Sequence, residues 1–382
     1  MKRFCILIGV VCFIVLSIHP SSSRAVESWI PPEPSNEMAA NGYESLVFSE
    51  DFSLVNENPR FWRELKFDNL LAQEEPHTPS TPSAEKVAEM MEEEGTDTEE
   101  MDKIAEALAN PLSYLWLMFT QNDTKWFDGD LMDDLDEDAQ VQNTFLIQPV
   151  MSIQLTENWK TIFRPVIPIN SFSTVENVDV STDTVPEITG VDLERDTGLG
   201  DIVLWTAFSN SYKPPFIWGF GPTIMMDTAT DDQLGTGKWS AGPMALAFNI
   251  TEKWIIGGVF QHWWSFAGDD DLTVDTSLGP VDVERPDVNL TDFQYVIRYR
   301  LSPTTNIGMG PNIQYNWETD ELSFPVGLGA DTLVKIGKLP VKIGAEAYYY
   351  AAKDDDFGPE WQLRLLFIPV LPSPKWSQKP LF

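Results

Sequence analysis

Cysteine is almost missing from this chain. It has two, Cys5 and Cys12, and the residues after them have neither a disulfide nor thiol chemistry. Histidine is nearly as rare, with three residues, of which His77 and His262 lie beyond the N-terminal segment. Positive charge is also in short supply: 25 Lys and Arg stand against 59 Asp and Glu, a formal net charge of −34. Such a balance excludes nucleic acid as a partner held through its phosphates. After residue 25 no apolar run approaches the roughly 20 residues that a membrane-spanning helix needs. Yet the chain holds 14 Trp, 22 Phe and 9 Tyr. Many aromatics, heavy charge and no helical span are reconciled by strands that alternate apolar and polar residues.

The N-terminus carries Lys2 and Arg3, an apolar run from Phe4 to Ile18, and the small residues Ser23 and Ala25. Residues 1–25 therefore read as a signal peptide cleaved after Ala25. Residues 26–110 differ from the rest. They contain the clusters PPEP and PHTPSTPS, which favour extended chain. The acidic run EKVAEMMEEEGTDTEEMDKIAEALANP follows, with Val87, Met90, Met91, Ile104, Ala107 and Leu108 at loosely helical spacing. We read this segment as a solvated acidic periplasmic leader, with a docking helix as the alternative.

From Leu112 the chain breaks into segments suited to tilted membrane strands of about 9–11 residues. In FQYVIRYRL, Phe293, Tyr295, Ile297, Tyr299 and Leu301 alternate with Gln294, Val296, Arg298 and Arg300. WQLRLLF, NIQYNW and FLIQPVMSIQL repeat the pattern. The expected strands are 112–122, 143–155, 159–169, 199–209, 216–226, 239–249, 254–264, 291–301, 305–317, 322–334, 339–350 and 360–370. Every second connection is short (TEN, SNSYKP, ITEK, SPT, KIGK), whereas the others are mostly long and acidic, as in 170–198 and SFAGDDDLTVDTSLGPVDVERPDVNL. Short periplasmic turns alternating with long extracellular loops predict an all-β transmembrane barrel of about twelve antiparallel strands, in the bacterial outer membrane. It covers 111–371, with 372–382 as a C-terminal tail.

One loop imitates a phosphate-binding motif. GTGKWS, residues 235–240, has Asp232 where the leading glycine belongs and Trp239 where a hydroxyl residue must follow the lysine. It is a loop closure: Gly235 and Gly237 serve the turn, and Trp239 opens a strand in the aromatic girdle. Trp126, Trp159, Trp254, Trp263, Trp264, Trp317 and Trp361 occupy similar strand-end positions.

The stretches ANPLSYLWLMFTQND, GLGDIV, WGFGPTIMMDTATDDQLGTGKWSAGP, QHWWSFAGDDD, RPDVN and GAEAYYYAAKDDDFGPEWQLRLLF resemble the outer-membrane barrel family named for the MetA pathway of phenol degradation. Its members also circulate under the mistaken label neuromedin U and are loosely termed transporters. The resemblance spans most of 109–370 and leaves the leader uncovered. It implies passage of small molecules, aromatic ones included, and brings no catalytic residue with it.

Strand parity points Lys160, Arg164, Arg298, Arg300, Lys342 and Arg364 into the lumen, with Glu346, Gln148, Gln261, Gln294 and Gln362 among them. Two roles compete: a cation ladder that favours anionic solutes, and an Arg–Glu network that braces the wall. Twelve strands lie between the side-chain-filled barrels of about 8 and the open pores of 16–18, so a narrow or plugged pore is expected. A hydrolase is disfavoured, because Ser265 lies on the opposite parity to His262. DLDEDAQ resembles a calcium loop but has Ala139 at the glycine position and Phe145 at the bidentate-acid position. Loose divalent-cation binding at the acidic loops remains as an expectation. No cofactor is called for. The expected partners are outer-membrane lipid, lipopolysaccharide and a small-molecule solute. The expected function is passive passage of small aromatic or anionic solutes, the alternative being a non-conducting structural or adhesive barrel.

Overall fold

Period-two alternation closes into a wall. The computed structural model describes residues 98–113, 115–129, 139–181, 187–211, 213–371 and 373–382. The signal-peptide segment, the Pro-rich part of the leader and residues 134–138 of DLDEDAQ lie outside the described residues. The chain divides into Met1–Glu74, none of it described, and Glu75–Phe382, which contains everything below.

The strands are β1 (Trp116–Asp128), β2 (Gln140–Gln154), β3 (Lys160–Ser181), β4 (Glu187–Leu199), β5 (Ile202–Ser211), β6 (Phe216–Met226), β7 (Lys238–Ile250) and β8 (Trp254–Gly268). They continue as β9 (Asp271–Val274), β10 (Val281–Glu284), β11 (Asn289–Arg300), β12 (Thr305–Met309), β13 (Asn312–Asn316), β14 (Glu321–Ile336), β15 (Leu339–Ala352) and β16 (Gly358–Leu371). Fourteen form one antiparallel sheet, and β9 with β10 form a separate hairpin. β4 with β5, and β12 with β13, are each one wall strand in two pieces. The wall therefore has twelve strands. It closes on itself where β16 pairs with β1, and β8 pairs directly with β11. Each expected strand has its counterpart here.

The outer face is apolar. Phe220, Leu328, Leu365 and Phe367 stand between roughly half and three-fifths exposed along its middle, at 52%, 58%, 48% and 48%. Trp126, Trp239, Trp264, Trp317 and Trp361 cluster toward the end that bears the long loops, and Trp254 packs on Tyr299 at the other. A closed barrel with a greasy belt and aromatic rims is the outer-membrane type, because only closure satisfies every backbone group in lipid. No helix among the described residues is long and apolar enough to cross a membrane.

Three expectations change. The stretch 170–198 is not a loop: β3 and β4 pair over most of it as a projecting hairpin. Its β-branched residues, in STVENVDV, keep it extended despite the acids. Trp263 does not belong to the girdle. Adjacent strand residues face opposite ways, so with Trp264 outside, Trp263 is 4% exposed in the interior and donates its indole N–H to Thr223 Oγ1 at 3.1 Å.

The third change concerns the end of the leader. Helix α1 (Thr98–Ala109) carries Ile104 and Ala107 on one stripe, 0% and 2% exposed. They pack with Leu115, Leu333 and Val370 at the short-turn end of the barrel. Just past it, Leu112 is fully buried among Ile162, Trp205, Ile217, Met244 and Leu246. This part of the leader is not solvated; its apolar stripe is buried against the short-turn end of the barrel.

At the opposite end the loops are tied together. Gly237 turns with a φ of 64°, a conformation that suits glycine. Lys238 then reaches Asp270 at 2.6 Å and Asp287 at 3.6 Å. Asp201 accepts from the Thr236 N–H and hydroxyl at 2.6 and 2.7 Å. Gln233 Nε2 donates to the Val175 carbonyl of β3 at 2.8 Å. Asp231 and Asp270 are exposed at this end, and Asn210 is exposed at the other. Asp231→Cys and Asp270→Cys should therefore react with an impermeant maleimide on intact cells, and Asn210→Cys should not. Labelling of Asn210→Cys alone would invert the barrel in the membrane. Beyond β16, a 3-10 turn at Lys375–Gln378 leads to Leu381 and Phe382, whose N–H groups both donate to the Leu155 carbonyl at 3.0 Å. Trp376 meets Trp116 edge-on, with ring centres 6.0 Å apart.

Candidate functional site in the barrel interior

The two halves of the wall differ in the side chains they turn inward. β5 to β8 contribute Trp205, Met244, Leu246, Phe248, Ile255 and Val259, an apolar lining. β11 to β16 and β1 contribute charges and amides. Arg364 of β16 makes a forked contact with Asp123 of β1, Nε to Oδ1 at 2.8 Å and Nη2 to Oδ2 at 3.0 Å. Its Nη1 donates to the Gly310 carbonyl at 2.9 Å. Arg298 bridges Asp331 and Glu346, and Tyr348 donates its hydroxyl to Glu346. Lys342 reaches Asp331 at 2.9 Å, and Asn306 donates to the same carboxylate at 2.7 Å.

The wall break between β12 and β13 supplies part of this network. Where the strand is interrupted, Gly310 offers its carbonyl to Arg364 and to Gln294 Nε2, and its N–H to Tyr348 Oη. Backbone groups freed from the ladder thus find new partners, as buried polar groups must. The network brings together Arg298, Lys342, Glu346 and Arg364 of the predicted set. Asp123, Asp331 and Tyr348 complete it, and sequence reasoning missed all three. Parity could have found Asp123, two residues beyond inward Gln121, and Asp331, the acid on the inward face of β14.

The remaining predicted cations sit apart. Lys160 is fully buried and donates to the Leu112 carbonyl behind α1. Arg300 lines the space beneath α1 with Ala105 and Leu108. Burial raises the carboxyl pKa of Glu106 on α1, and the Arg300 charge partly offsets this. Arg164 donates through Nε to Gln148 Oε1 at 2.9 Å and lies over the rings of Phe119 and Trp205, at 5.0 and 5.4 Å. Among the described residues no carboxylate comes within 4.0 Å of it, unlike Arg298 and Arg364.

Above the network, toward the long loops, lies a cavity of about 290 Å³. Leu146, Val203, Trp205, Met225, Val259 and Trp263 form its apolar side. Gln121, Asp123, Asp292, Gln314, Gln362 and Arg364 form its polar side, and Arg164 stands at the junction. Asp292 is held by amides, accepting from Asn312 Nδ2 at 2.9 Å and Gln314 Nε2 at 3.1 Å.

His262 belongs to the outer face, hydrogen-bonded to Thr291 Oγ1 at 2.7 Å beneath the Trp264 ring. Ser265 Oγ donates instead to Asp287 at 2.9 Å. The described residues therefore place no Ser–His pair within hydrogen-bonding reach at this point. Among them no three His, Cys, Asp or Glu side chains gather as a metal site.

Replacing both Arg298 and Arg300 by Glu tests the bracing role. Glu at 298 would face Asp331 and Glu346, and like charges in a buried setting repel. The expected result is a marked fall in the temperature of heat-modified gel migration. A shift in ion selectivity with stability intact would instead make these residues a conducting filter.

No protein-family model matches the chain, and no curated protein matches it. Solved structures do. An outer-membrane channel from Pseudomonas putida is 15% identical, with 67% of this chain and 95% of that one covered, at a TM-score of 0.48. The CymD monoaromatic hydrocarbon channel is 9% identical, covering 76% and 97%, at 0.39. Outer membrane phospholipase A from Escherichia coli is 13% identical, covering 76% and 98%, at 0.32. All three scores lie below 0.5, so function has to be argued from the residues themselves.

Proposed function

We propose that this chain is a channel-like outer-membrane barrel for small solutes, held shut from the periplasmic side in the conformation described. One observation carries this: the lumen contains a mixed polar and apolar cavity of about 290 Å³, and at the short-turn end of the same barrel α1, a segment outside the wall, packs against Leu115, Leu333 and Val370. α1 takes no part in the strand ladder, so undocking it would leave the wall paired. The resemblance to the MetA-pathway barrels, carried by the stretches quoted above, supports the same reading. Lipopolysaccharide would be the partner at the loop-bearing rim, with divalent cations bridging its phosphates to the acidic loops. A structural or adhesive barrel is the competing reading, favoured by the buried packing of Ile104, Ala107 and Leu112 at the short-turn end.

Planar bilayers separate the two. Intact protein should show discrete, infrequent conductance steps, and liposomes containing it should swell in small organic solutes. Complete silence in both assays would leave the structural barrel.

Acidity should act on the closing element. The docked Glu106 has a raised pKa through burial, opposed by Arg300. Docking therefore favours the protonated acid. Lowering pH through the raised value should hold α1 in place, and raising it should release the helix. Opening frequency is expected to increase from acidic to neutral pH, and Glu106→Gln should abolish that slope. An unchanged slope in Glu106→Gln would assign the effect to another group.

A further inference from the structure

We propose that Arg164 and the rings beside it form a binding subsite for small organic anions with a flat apolar body, aromatic carboxylates being the class that fits. The proposal deepens the channel reading, since it places a ligand in the same lumen.

The charge inventory of the interior points there. Arg298 and Arg364 are neutralised by carboxylates in direct contact. Arg164 has no such contact: its hydrogen bonds go to a neutral amide, Gln148, and the carboxylate that acts on it, Asp292, does so from a distance as part of the same cavity lining. A buried cation without a carboxylate in direct contact is costly, and here it lines a cavity rather than packed core. Its Nε and Nη2 atoms are engaged by Gln148, and Nη1 makes no hydrogen bond among the described residues. That leaves guanidinium donors free for a carboxylate, a geometry that Arg recognises well. Phe119 and Trp205 flank the guanidinium, and Val203, Met225 and Trp263 continue the apolar side. An anion bound at Arg164 would lay its body along them.

Size agrees. An apolar cavity of roughly 150 Å³ takes up benzene, and this one is about 290 Å³. A single ring with one or two substituents fits. The far side offers Gln314 and Gln362, amides able to meet a hydroxyl on the ring's other edge. Inorganic anions would gain the charge contact but none of the apolar side.

Equilibrium dialysis of purified, folded protein in detergent, against a detergent-only blank, tests this with benzoate, its neutral isostere benzamide, and inorganic phosphate. Benzoate should bind saturably, and benzamide at least about tenfold more weakly, since a hydrogen bond to a charged partner is at stake. Phosphate should not compete. Arg164→Gln should weaken benzoate by a similar factor and benzamide by much less, bringing the two affinities together, and Arg164→Lys should keep part of the benzoate binding. If Arg164→Gln fails to fold, the benzoate–benzamide comparison in the intact protein decides alone. Equal affinity for the two, or phosphate displacing benzoate, would overturn the subsite. Binding intact in a barrel that never conducts would remove the channel reading and leave the subsite standing.

Discussion

Undocking α1 should turn a rarely opening barrel into a persistently open one. Ile104→Asp with Ala107→Asp places two carboxylates where the side chains are 0% and 2% exposed, against Leu115, Leu333 and Val370. A polar group buried without a partner costs roughly 2–7 kcal/mol, and a charge costs more. Two such carboxylates also remove the burial of Ile104, roughly 1.5–3 kcal/mol for a side chain of its size, so the change acts against docking twice over. The helix should leave, and Arg300 and the Lys160 side of the lumen should then meet water. Deleting residues 98–109 ought to give the same phenotype. The barrel should still assemble, since the wall ladder runs from Trp116 to Leu371 without the helix. Single-channel recording is the measurement, with heat-modifiable migration as the folding control. A folded variant as silent as the parent would show that the interior stays shut without α1.

The second large effect concerns stability. Arg364 and Asp123 are 5% and 7% exposed, and they join the two strands that close the barrel. Removing one partner of a buried ion pair costs about 3–5 kcal/mol, because the other charge is stranded. Arg364→Met should therefore leave Asp123 with the neutral Gln121 amide and Gly310 with Gln294 as their donors, strand the Asp123 charge, and sharply lower the unfolding midpoint in urea, measured in detergent or bilayer. Combining it with Asp123→Asn should restore much of the loss, since no charge then remains unpaired. If the double variant is as weak as the sum of the singles, the two residues are not coupled and the network is not what holds the seam.

The wall was legible because its rule is local. Alternation in FQYVIRYRL or WQLRLLF identifies both faces without knowledge of the rest of the chain. Parity carried the predicted cations inward for the same reason. Their counter-charges were not legible, because Asp123 lies 241 residues from Arg364 in sequence, and closure alone brings them together. Trp263 and Trp264 show the limit of composition: both look like girdle residues, and only strict alternation assigns one to the cavity. α1 misled for another reason. Its run is acidic and its apolar stripe short, so solvation looked favourable; Leu333 and Val370, which complement that stripe, are distant wall residues. The β3–β4 projection was hidden by its acids, although its Thr and Val content favoured strand.

The tail after β16 bears on how the cylinder can come apart. A barrel has one joint between its first and final strands, here β1 and β16. The tail leaves β16, passes Trp116 of the first strand at its periplasmic end, and ends hydrogen-bonded to Leu155 in the turn beyond the second strand. It thus lies across the joint like a strap across a lid. Strand separation at that rim has to peel the strap away first, so the tail guards the joint against fraying from the periplasmic side.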